Sequence, residues 1–202
     1  MRLVLATANP DKAAELAAIL ADELGDGVEL VARPDGVASV EETGDTLEDN
    51  ARLKAVALFS ATGEAAVADD TGLEVAALGG APGTRTARFA GEDATYAENV
   101  AKLLACLEDA TDRRARFHTV VVCRFPDGSE IVGEGAVDGE ITSGPQGDGG
   151  FGYDPVFAPN GSDGRTFAQM SPSEKHNLSH RGCALRSFAA QLRQARASQP
   201  DA

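Results

Sequence analysis

The sequence predicts an α/β fold with a mixed β-sheet, and three features of the chain carry that prediction. Short apolar segments typical of strands alternate with segments whose apolar residues repeat at helical spacing. One long hairpin, with strands over residues 116–125 and 130–137 around Asp127-Gly128, adds antiparallel pairing. No internal repeat or linker interrupts the pattern. We therefore expect residues 1–197 to form one domain and residues 198–202 to form a flexible tail.

Capping and turn residues set the boundaries of the elements. Asn9 and Pro10 have the chemistry that begins a helix, apolar residues then repeat at helical spacing, and Gly25 ends the helix. Residues 171–174, Ser-Pro-Ser-Glu, have the capping-box pattern that begins another helix. The remaining expected elements are strands over 2–6, 28–32, 65–68 and 154–158 and helices over 46–61, 93–108 and 179–196.

Composition excludes some classes of partner. The 202 residues carry a net charge of −14, which argues against nucleic acid because phosphate contacts need basic patches. No run of 18 apolar residues is present, so we expect no membrane contact. Cys106, Cys123 and Cys183 have no metal-ligand spacing, and we expect them to be reduced thiols of a cytoplasmic protein. A small anionic ligand fits such a chain only with a divalent metal ion and local cations.

A candidate phosphate site lies at the first strand-to-helix turn, where Thr7, Asn9 and Lys12 follow closely on one another. Helix N-termini present free N–H groups and positive dipole charge, which suit a phosphate. Asn9 is also explained as a simple N-cap. Lys12 is unfavourable in a first helical turn, so it needs a nearby anion. The turn is not a P-loop, because the chain contains no G-x-x-x-x-G-K-[ST] motif.

Two acidic pairs, Glu41-Glu42 and Asp69-Asp70, are candidate metal ligands. Mg²⁺ prefers hard oxygen ligands, with waters completing its octahedron. Taken alone, Glu41-Glu42 is also typical of a solvated surface pair. Asp69-Asp70 follows a four-residue apolar strand, so we expect both carboxylates at the C-terminal end of that strand. Two carboxylates held there repel each other unless a cation intervenes.

The segment from residue 150 to residue 182 combines glycines, aromatic rings and cations. An aromatic ring that glycines leave accessible can stack on a nucleobase, and ammonium and guanidinium groups neutralise phosphate or read a base edge. Core packing is the alternative for the aromatic rings and for the histidine. The candidate ligand-binding residues of this segment are Phe151, Gly152, Tyr153, Asp154, Lys175, His180 and Arg181. The combination indicates a nucleotide site.

Lysine usage points to the same clusters. The chain has four lysines against fourteen arginines, so arginine is its usual cation. Lys12, Lys54 and Lys175 all fall within the candidate clusters, where a compact and flexible charge suits phosphate. Asn50 and Lys54 are four residues apart on the second predicted helix and therefore share a face. Because the chain has only four lysines, coincidence is the alternative explanation for their placement.

In their order along the chain, these clusters resemble the inosine triphosphate pyrophosphatase family, also called the Ham1 family, from about residue 3 to residue 190. The resemblance implies a long twisted mixed sheet flanked by helices, in two lobes around a central cleft, and a homodimer. The chain departs from the family's pattern at two positions: Arg85 stands where an aromatic residue is usual, and Gln169 where a glutamate is frequent. These departures affect the finer contacts of the site. The motifs are Thr7–Lys12, Glu41–Thr46 with Asn50 and Lys54, Ala68–Glu74, Gly79–Gly83, Ala87–Gly91, Gly150–Asp154 and Ser179–Gly182.

The resemblance also implies an activity and a site. The activity is Mg²⁺-dependent hydrolysis of ITP, dITP and XTP to a nucleoside monophosphate and pyrophosphate, which keeps deaminated purines out of DNA and RNA. Asp70 would be the general base, and Glu42 and Asp70, helped by Asp69 or Glu41, would hold Mg²⁺. The triphosphate would contact Thr7, Asn9, Lys12, Lys54, Thr71 and Lys175. The base would contact the Phe151–Asp154 loop, His180 and Arg181.

Two alternatives stay open at the level of the sequence. A related pyrophosphatase of the Maf type would act on pyrimidine or modified nucleotides. A nucleotide-binding regulator would bind ITP without releasing pyrophosphate, and it would not need Asp69-Asp70 at the end of a strand.

Overall fold

The computed structural model describes residues 1–198, which form two compact units. The first unit comprises Met1–Asp70, Thr119–Gly135 and residues 181–198, and the second comprises Thr71–His118 and Ala136–His180. Apart from Ser198, the tail expected over 198–202 lies outside the described residues. No helix within the described range is long and apolar enough to cross a membrane.

A mixed β-sheet flanked by α-helices organises the chain, which confirms the predicted fold class. The strand order is β2-β1-β3-β5-β6-β7, with β4 paired to β3. β1 is parallel to β2 and to β3, whereas β4 is antiparallel to β3 and β7 is antiparallel to β6. The elements are β1 (Arg2–Leu5), α1 (Pro10–Leu24), β2 (Glu29–Val31), α2 (Leu47–Thr62), β3 (Ala66–Val75), β4 (Pro82–Gly83), α3 (Tyr96–Cys106), β5 (Arg114–Arg124), β6 (Glu130–Ile141), β7 (Phe157–Pro159), α4 (Pro172–Leu178) and α5 (His180–Ala197).

In the first unit, β1 and β3 bury side chains on both faces, as parallel strands do when helices cover both sides. Leu5 and Val67 belong to a core shared with apolar residues of α1 and α5. Val4, Ala66 and Ala68 belong to a second core shared with α2. Since side chains alternate along a strand, neighbouring residues of β3 face different helices.

The second unit has one apolar core, built largely from aromatic rings. The rings of Phe117 and Phe157 meet edge to face with centroids 4.7 Å apart, and Phe157 stacks on Phe167 at 5.3 Å. Leu73 from β3 and Leu103 from α3 are buried against them. Offset and edge-to-face aromatic pairs of this kind add stability beyond their buried area.

Several boundaries differ from the sequence prediction, and one difference changes the site. β3 continues to Val75, so Asp69 and Asp70 lie inside the strand and not after its end. The short apolar run at residues 65–68 includes only the first three residues of this strand, and its side chains belong to the two cores of the first unit. The strand expected over 154–158 begins at Phe157, because residues 154–156 form a 3₁₀ turn that contains Pro155.

Candidate functional site

The turn between β1 and α1 brings Thr7, Asn9 and Lys12 together. The Asn9 side-chain oxygen accepts hydrogen bonds from the backbone N–H groups of Asp11 (2.9 Å) and Lys12 (3.2 Å), which confirms the predicted N-cap. The Thr7 hydroxyl oxygen accepts from the Asn9 N–H at 3.1 Å. The turn is therefore fixed by its own side chains, and its role as a phosphate site stays a prediction.

The anion that Lys12 requires is present within the protein. Its ammonium lies 3.6 Å from the Asp69 carboxylate, and its side chain keeps 22% exposure. Burial lowers the pKa of Lys12, an effect that Asp69 partly offsets. A lysine in a first helical turn is thus explained by Asp69 before any ligand is considered.

Asp69 belongs to a buried group of charges that we call the Asp69 cluster: Lys12, Glu15, Asp69 and Arg181. The Arg181 guanidinium donates to Asp69 at 3.3 Å through both Nε and Nη2, and to Glu15 at 2.6 Å through Nη1. Burial alone would raise the pKa of Asp69, but Lys12 and Arg181 outweigh it and hold that pKa well below its usual range. The Asp69 carboxylate is therefore ionised and bound by cations of the same protein.

Asp70 belongs to a different group, the Asp70 cluster of Glu42, Lys54 and Asp70. The Lys54 ammonium donates to Asp70 at 2.7 Å and to Glu42 at 3.0 Å. Burial raises the pKa of Asp70, although Lys54 opposes the shift. Burial would lower the pKa of Lys54, but Asp70, Asp69 and Glu42 together raise it. Lys54 thus holds two carboxylates that would otherwise repel each other.

Cations do intervene at Asp69 and Asp70, but a separate set binds each carboxylate. The two residues are consecutive in β3, so their side chains point to opposite faces of the sheet. Asp69 pairs with cations from α1 and α5, and Asp70 pairs with a lysine from α2. Each carboxylate has its own counter-ion, and only Asp70 lies with a second acidic side chain of the candidate metal set.

The Asp70 cluster fits a magnesium ion in its donor chemistry. No other residue among 1–198 donates to the Asp70 Oδ2 atom, which is buried. Glu42 supplies a second carboxylate, whereas Glu41 is exposed at the surface. The described residues contain no group of three histidine, cysteine or acidic side chains that could hold a metal ion by themselves. Mg²⁺ often takes one or two protein carboxylates and completes its shell with water and phosphate oxygens, so two are enough.

In the second unit, Phe151, Asp154 and Lys175 form what we call the Phe151 cluster. Asp154 Oδ2 accepts from the Lys175 ammonium at 2.6 Å and from the Phe151 N–H at 2.8 Å. The same ammonium lies 4.7 Å from the centre of the Phe151 ring. Lys175 was expected at the phosphates, but here it is buried beside an aromatic ring. The contact holds the ring in place and adds a cation–π attraction.

Glycine is required beside this cluster because a side chain would not fit. A Cβ atom on Gly150 would lie 2.1 Å from Asp154 Oδ2, and Gly150 has a φ of +68°, which favours glycine. Gly152 follows with a φ of +64°. The Tyr153 hydroxyl is buried and donates to the Thr86 carbonyl at 2.9 Å, and its burial raises its pKa. Tyr153 therefore anchors the loop, whereas Phe151 is its partly exposed ring.

His180 and Arg181, which were expected to read the base together, contact different residues in the structure. The His180 ring is buried and stacks on Phe117, with centroids 4.4 Å apart. Arg181 belongs to the Asp69 cluster. Successive residues of a helix point about 100° apart, so two neighbours at the start of α5 reach different partners. Thr71 follows Asp70 in β3 and is partly buried.

Some residues that contact the predicted site residues were not singled out from the sequence. Glu15 was missed although it lies three residues after Lys12 on α1, a spacing that places the two on one face. Phe117 and Thr86 come from distant parts of the chain and left no local signal. They contact His180 and Tyr153 only because the fold brings them there.

Comparison with known proteins gives consistent matches over almost the whole chain. A protein from Shigella flexneri named dITP/XTP pyrophosphatase is 48% identical over 197 residues, covering 95% of this chain and 98% of that protein. A protein of the same name from Mycobacterium bovis is 50% identical over 187 residues, covering 91% of each. The structure of a HAM1 protein from Coxiella burnetii superposes with a TM-score of 0.85 at 39% identity, covering 96% of this chain and 99% of the other.

A family model described as the Ham1 family matches residues 3–191. The motifs that carried the resemblance all lie within this range, from the Thr7 turn to Arg181. Given this match and relatives about half identical over nearly their full length, the chain belongs to the Ham1 family.

Proposed function

We propose that this chain is a nucleoside-triphosphate pyrophosphatase that hydrolyses dITP, ITP and XTP and so removes deaminated purine nucleotides. Relatives that are 47–50% identical over at least 91% of this chain carry the name dITP/XTP pyrophosphatase. Within this chain, the Asp70 cluster supports the proposal most directly. It combines a buried carboxylate of raised pKa, a second carboxylate and a lysine that bridges them.

In the proposed reaction, the oxygen of a water molecule bonds to the α-phosphorus, and the bond from that phosphorus to the α–β bridging oxygen breaks. Pyrophosphate leaves and the nucleoside monophosphate keeps the new oxygen. Asp70 accepts a proton from the attacking water, and burial, which raises the pKa of Asp70, makes it a better base than an exposed aspartate. Positioning and charge neutralisation supply most of the remaining rate enhancement in such displacements.

Glu42 and Asp70 are the residues that we propose hold Mg²⁺. The ion would neutralise phosphate charge and acidify bound water. Asp69 would support the site from the opposite face of β3, because its carboxylate is already bound by Arg181. Lys12 and Lys54 would counter the triphosphate charge, and Thr7, Asn9 and Thr71 would add hydrogen bonds.

The Phe151 cluster supports recognition of the base. The partly exposed Phe151 ring offers a surface for stacking, and the buried Lys175 ammonium beside it is a donor. A 6-oxo purine accepts a hydrogen bond where adenine presents a 6-amino donor, so a fixed donor favours the deaminated base. Asp154 keeps both the ring and the ammonium in place. His180 and Arg181 retain a base-reading role only as a prediction.

A panel of nucleotides tests the proposed function. Pyrophosphate release is measured with ITP, dITP, XTP, ATP, GTP and a set of pyrimidine nucleotides, each with Mg²⁺ and with EDTA. Release from ITP, dITP and XTP that requires Mg²⁺ supports the proposal. Preference for pyrimidine or other modified nucleotides would favour the Maf-type alternative, and binding of ITP without pyrophosphate release would favour a regulator.

We also propose that the protein is cytoplasmic and that it forms a homodimer, which the family resemblance implies. Cys106, Cys123 and Cys183 are all free thiols, which suits a reducing compartment. Burial raises the pKa of Cys123 and keeps that thiol unreactive. Light scattering coupled to size-exclusion chromatography gives the molar mass, and a mass near 20.8 kDa would contradict the dimer.

Replacing Lys54 by Met tests its place between the two carboxylates. In EDTA we expect the variant to be less stable by about 1–3 kcal/mol, because Glu42 and Asp70 lose their shared donor. Added Mg²⁺ should raise its melting temperature more than that of the wild type, since a cation can then take the place of the ammonium. The control is Lys12→Met, whose ammonium lies beside Asp69 and whose response to Mg²⁺ should match the wild type. Equal Mg²⁺-induced rises in melting temperature in the two variants would contradict the placement of Lys54 between Glu42 and Asp70.

A further inference from the structure

A buried asparagine on α2 is bonded to the loop that carries the acidic pair Glu41-Glu42. The side-chain oxygen of Asn50 accepts a hydrogen bond from the backbone N–H of Gly44 at 2.8 Å, and Asn50 is 1% exposed. Lys54, one turn further along the same helix, bonds to Glu42 itself. The face of α2 thus holds this loop at two points, one through its backbone and one through its carboxylate.

Gly44 lies too close to α2 to carry a side chain. A Cβ atom there would be 2.6 Å from the Cβ of Asp49 and 2.8 Å from the side-chain oxygen of Asn50. Unlike several other glycines of the chain, Gly44 has no positive φ, so the constraint is space and not backbone conformation. The hydrogen bond and the close approach together form what we call the Gly44–Asn50 clasp.

The clasp is not explained by stability alone. No residue within the described part of the chain accepts a hydrogen bond from the Asn50 side-chain Nδ2, which is buried. An unpaired buried amide is unfavourable, and an apolar side chain of similar size would avoid that cost. Asn50 lies beside apolar core residues of α2, including Leu47 and Ala51. Since Asn50 has this unfavourable unpaired amide, we attribute its presence to its other contact, the hydrogen bond to Gly44.

A second asparagine provides an internal comparison. Asn99 occupies the same position on α3 that Asn50 occupies on α2, because the N–H of each donates to a capping threonine four residues earlier, Thr95 or Thr46. The Asn99 side chain also bonds to the loop that precedes its helix, but it uses both ends. It accepts from the Ala90 N–H at 2.7 Å and donates to the Ala87 carbonyl at 2.9 Å. Asn99 is therefore a fully bonded structural asparagine, and Asn50 is not.

From this contrast we infer that Asn50 is a positioning residue: through the Gly44–Asn50 clasp it sets where Glu42 stands relative to Asp70, and so tunes binding of the divalent cation. The inference rests on the proposed function, which assigns the cation to Glu42 and Asp70. Replacing a residue that orients a metal ligand without contacting the metal typically costs 10- to 100-fold in metal affinity or activity.

The test compares Asn50→Leu with Asn99→Leu. For Asn50→Leu we expect the melting temperature to stay close to that of the wild type, because the loss of the Gly44 bond is offset by removal of an unpaired buried amide. Its half-saturating Mg²⁺ concentration should rise about 10-fold, measured both by pyrophosphate release and by the Mg²⁺-induced shift in melting temperature without nucleotide. Asn99→Leu should lower the melting temperature, since two backbone groups lose their part-buried hydrogen bonds, and its half-saturating Mg²⁺ concentration should stay unchanged.

Gly44→Ala disturbs the same clasp from the other side. It should raise the half-saturating Mg²⁺ concentration in the same way, and the double variant with Asn50→Leu should be no worse than the poorer single variant, because both break one contact. Unchanged Mg²⁺ dependence in Asn50→Leu, or additive effects in the double variant, would overturn the inference. Wild-type protein that releases no pyrophosphate overturns the proposed function instead, and the nucleotide-free Mg²⁺ titration still tests the clasp.

Discussion

Asp70→Asn is expected to lower turnover of ITP by at least about 10²-fold while the protein stays folded. Loss of a general base costs about 10²–10⁴-fold, and a neutral amide cannot accept the proton from water. The fold should tolerate the change, because burial raises the pKa of Asp70 and so the folded protein already disfavours its charge. Steady-state pyrophosphate release gives the turnover, and thermal unfolding gives the stability.

The same substitution one residue earlier is the matched control. Asp69 has a pKa held well below its usual range, so its ionised form stabilises the fold above the ordinary aspartate pKa of about 3.9, and that contribution is lost as the pH falls below it. Asp69→Asn should therefore lower the melting temperature at neutral pH, and Asp70→Asn should not. Near-full activity in Asp70→Asn would show that the base has been assigned to the wrong residue.

Arg181→Ala is expected to produce the largest loss of stability, about 3–5 kcal/mol. Removing one partner of a buried ion pair leaves its counter-charge uncompensated, and here both Asp69 and Glu15 lose a bonded cation. For a chain of this length, that loss corresponds to a melting temperature lower by about 6–20 °C. Differential scanning calorimetry at neutral pH measures the shift.

Arg193→Ala is the control on the same helix. Its guanidinium pairs with Glu23 at 3.4 Å, but the Arg193 side chain is 52% exposed, so the pair contributes at most about 1 kcal/mol. If the two variants lost equal stability, the buried charges of the Asp69 cluster would not matter to the fold. The ratio of ITP to ATP efficiency in the folded fraction of Arg181→Ala tests base reading separately. A fall in that ratio would support the base-reading role that the sequence predicts for Arg181.

The sequence predicted most of the fold, because its signals are local. Asn9 as N-cap, the Ser171–Glu174 capping box and the hairpin turn near Asp127 are each decided by residues within a few positions of one another. The length of β3 was not predictable in this way. The apolar run that defines a strand in the sequence ends at Ala68, whereas the hydrogen-bonded strand continues through the charged pair.

The sequence by itself determined the family and the residue types of the candidate site: two acidic pairs, three lysines and an aromatic loop in a recognisable order. Only the tertiary structure decided how they are grouped. The pleat of β3 sends Asp69 to Arg181 and Asp70 to Lys54, and the turn of α5 separates His180 from Arg181. Lys175 bonds to Asp154, twenty-one residues away, and Arg181 bonds to Asp69, more than a hundred residues away. Charge pairing depends on distances of a few ångströms in space, and spacing along the chain does not fix those distances.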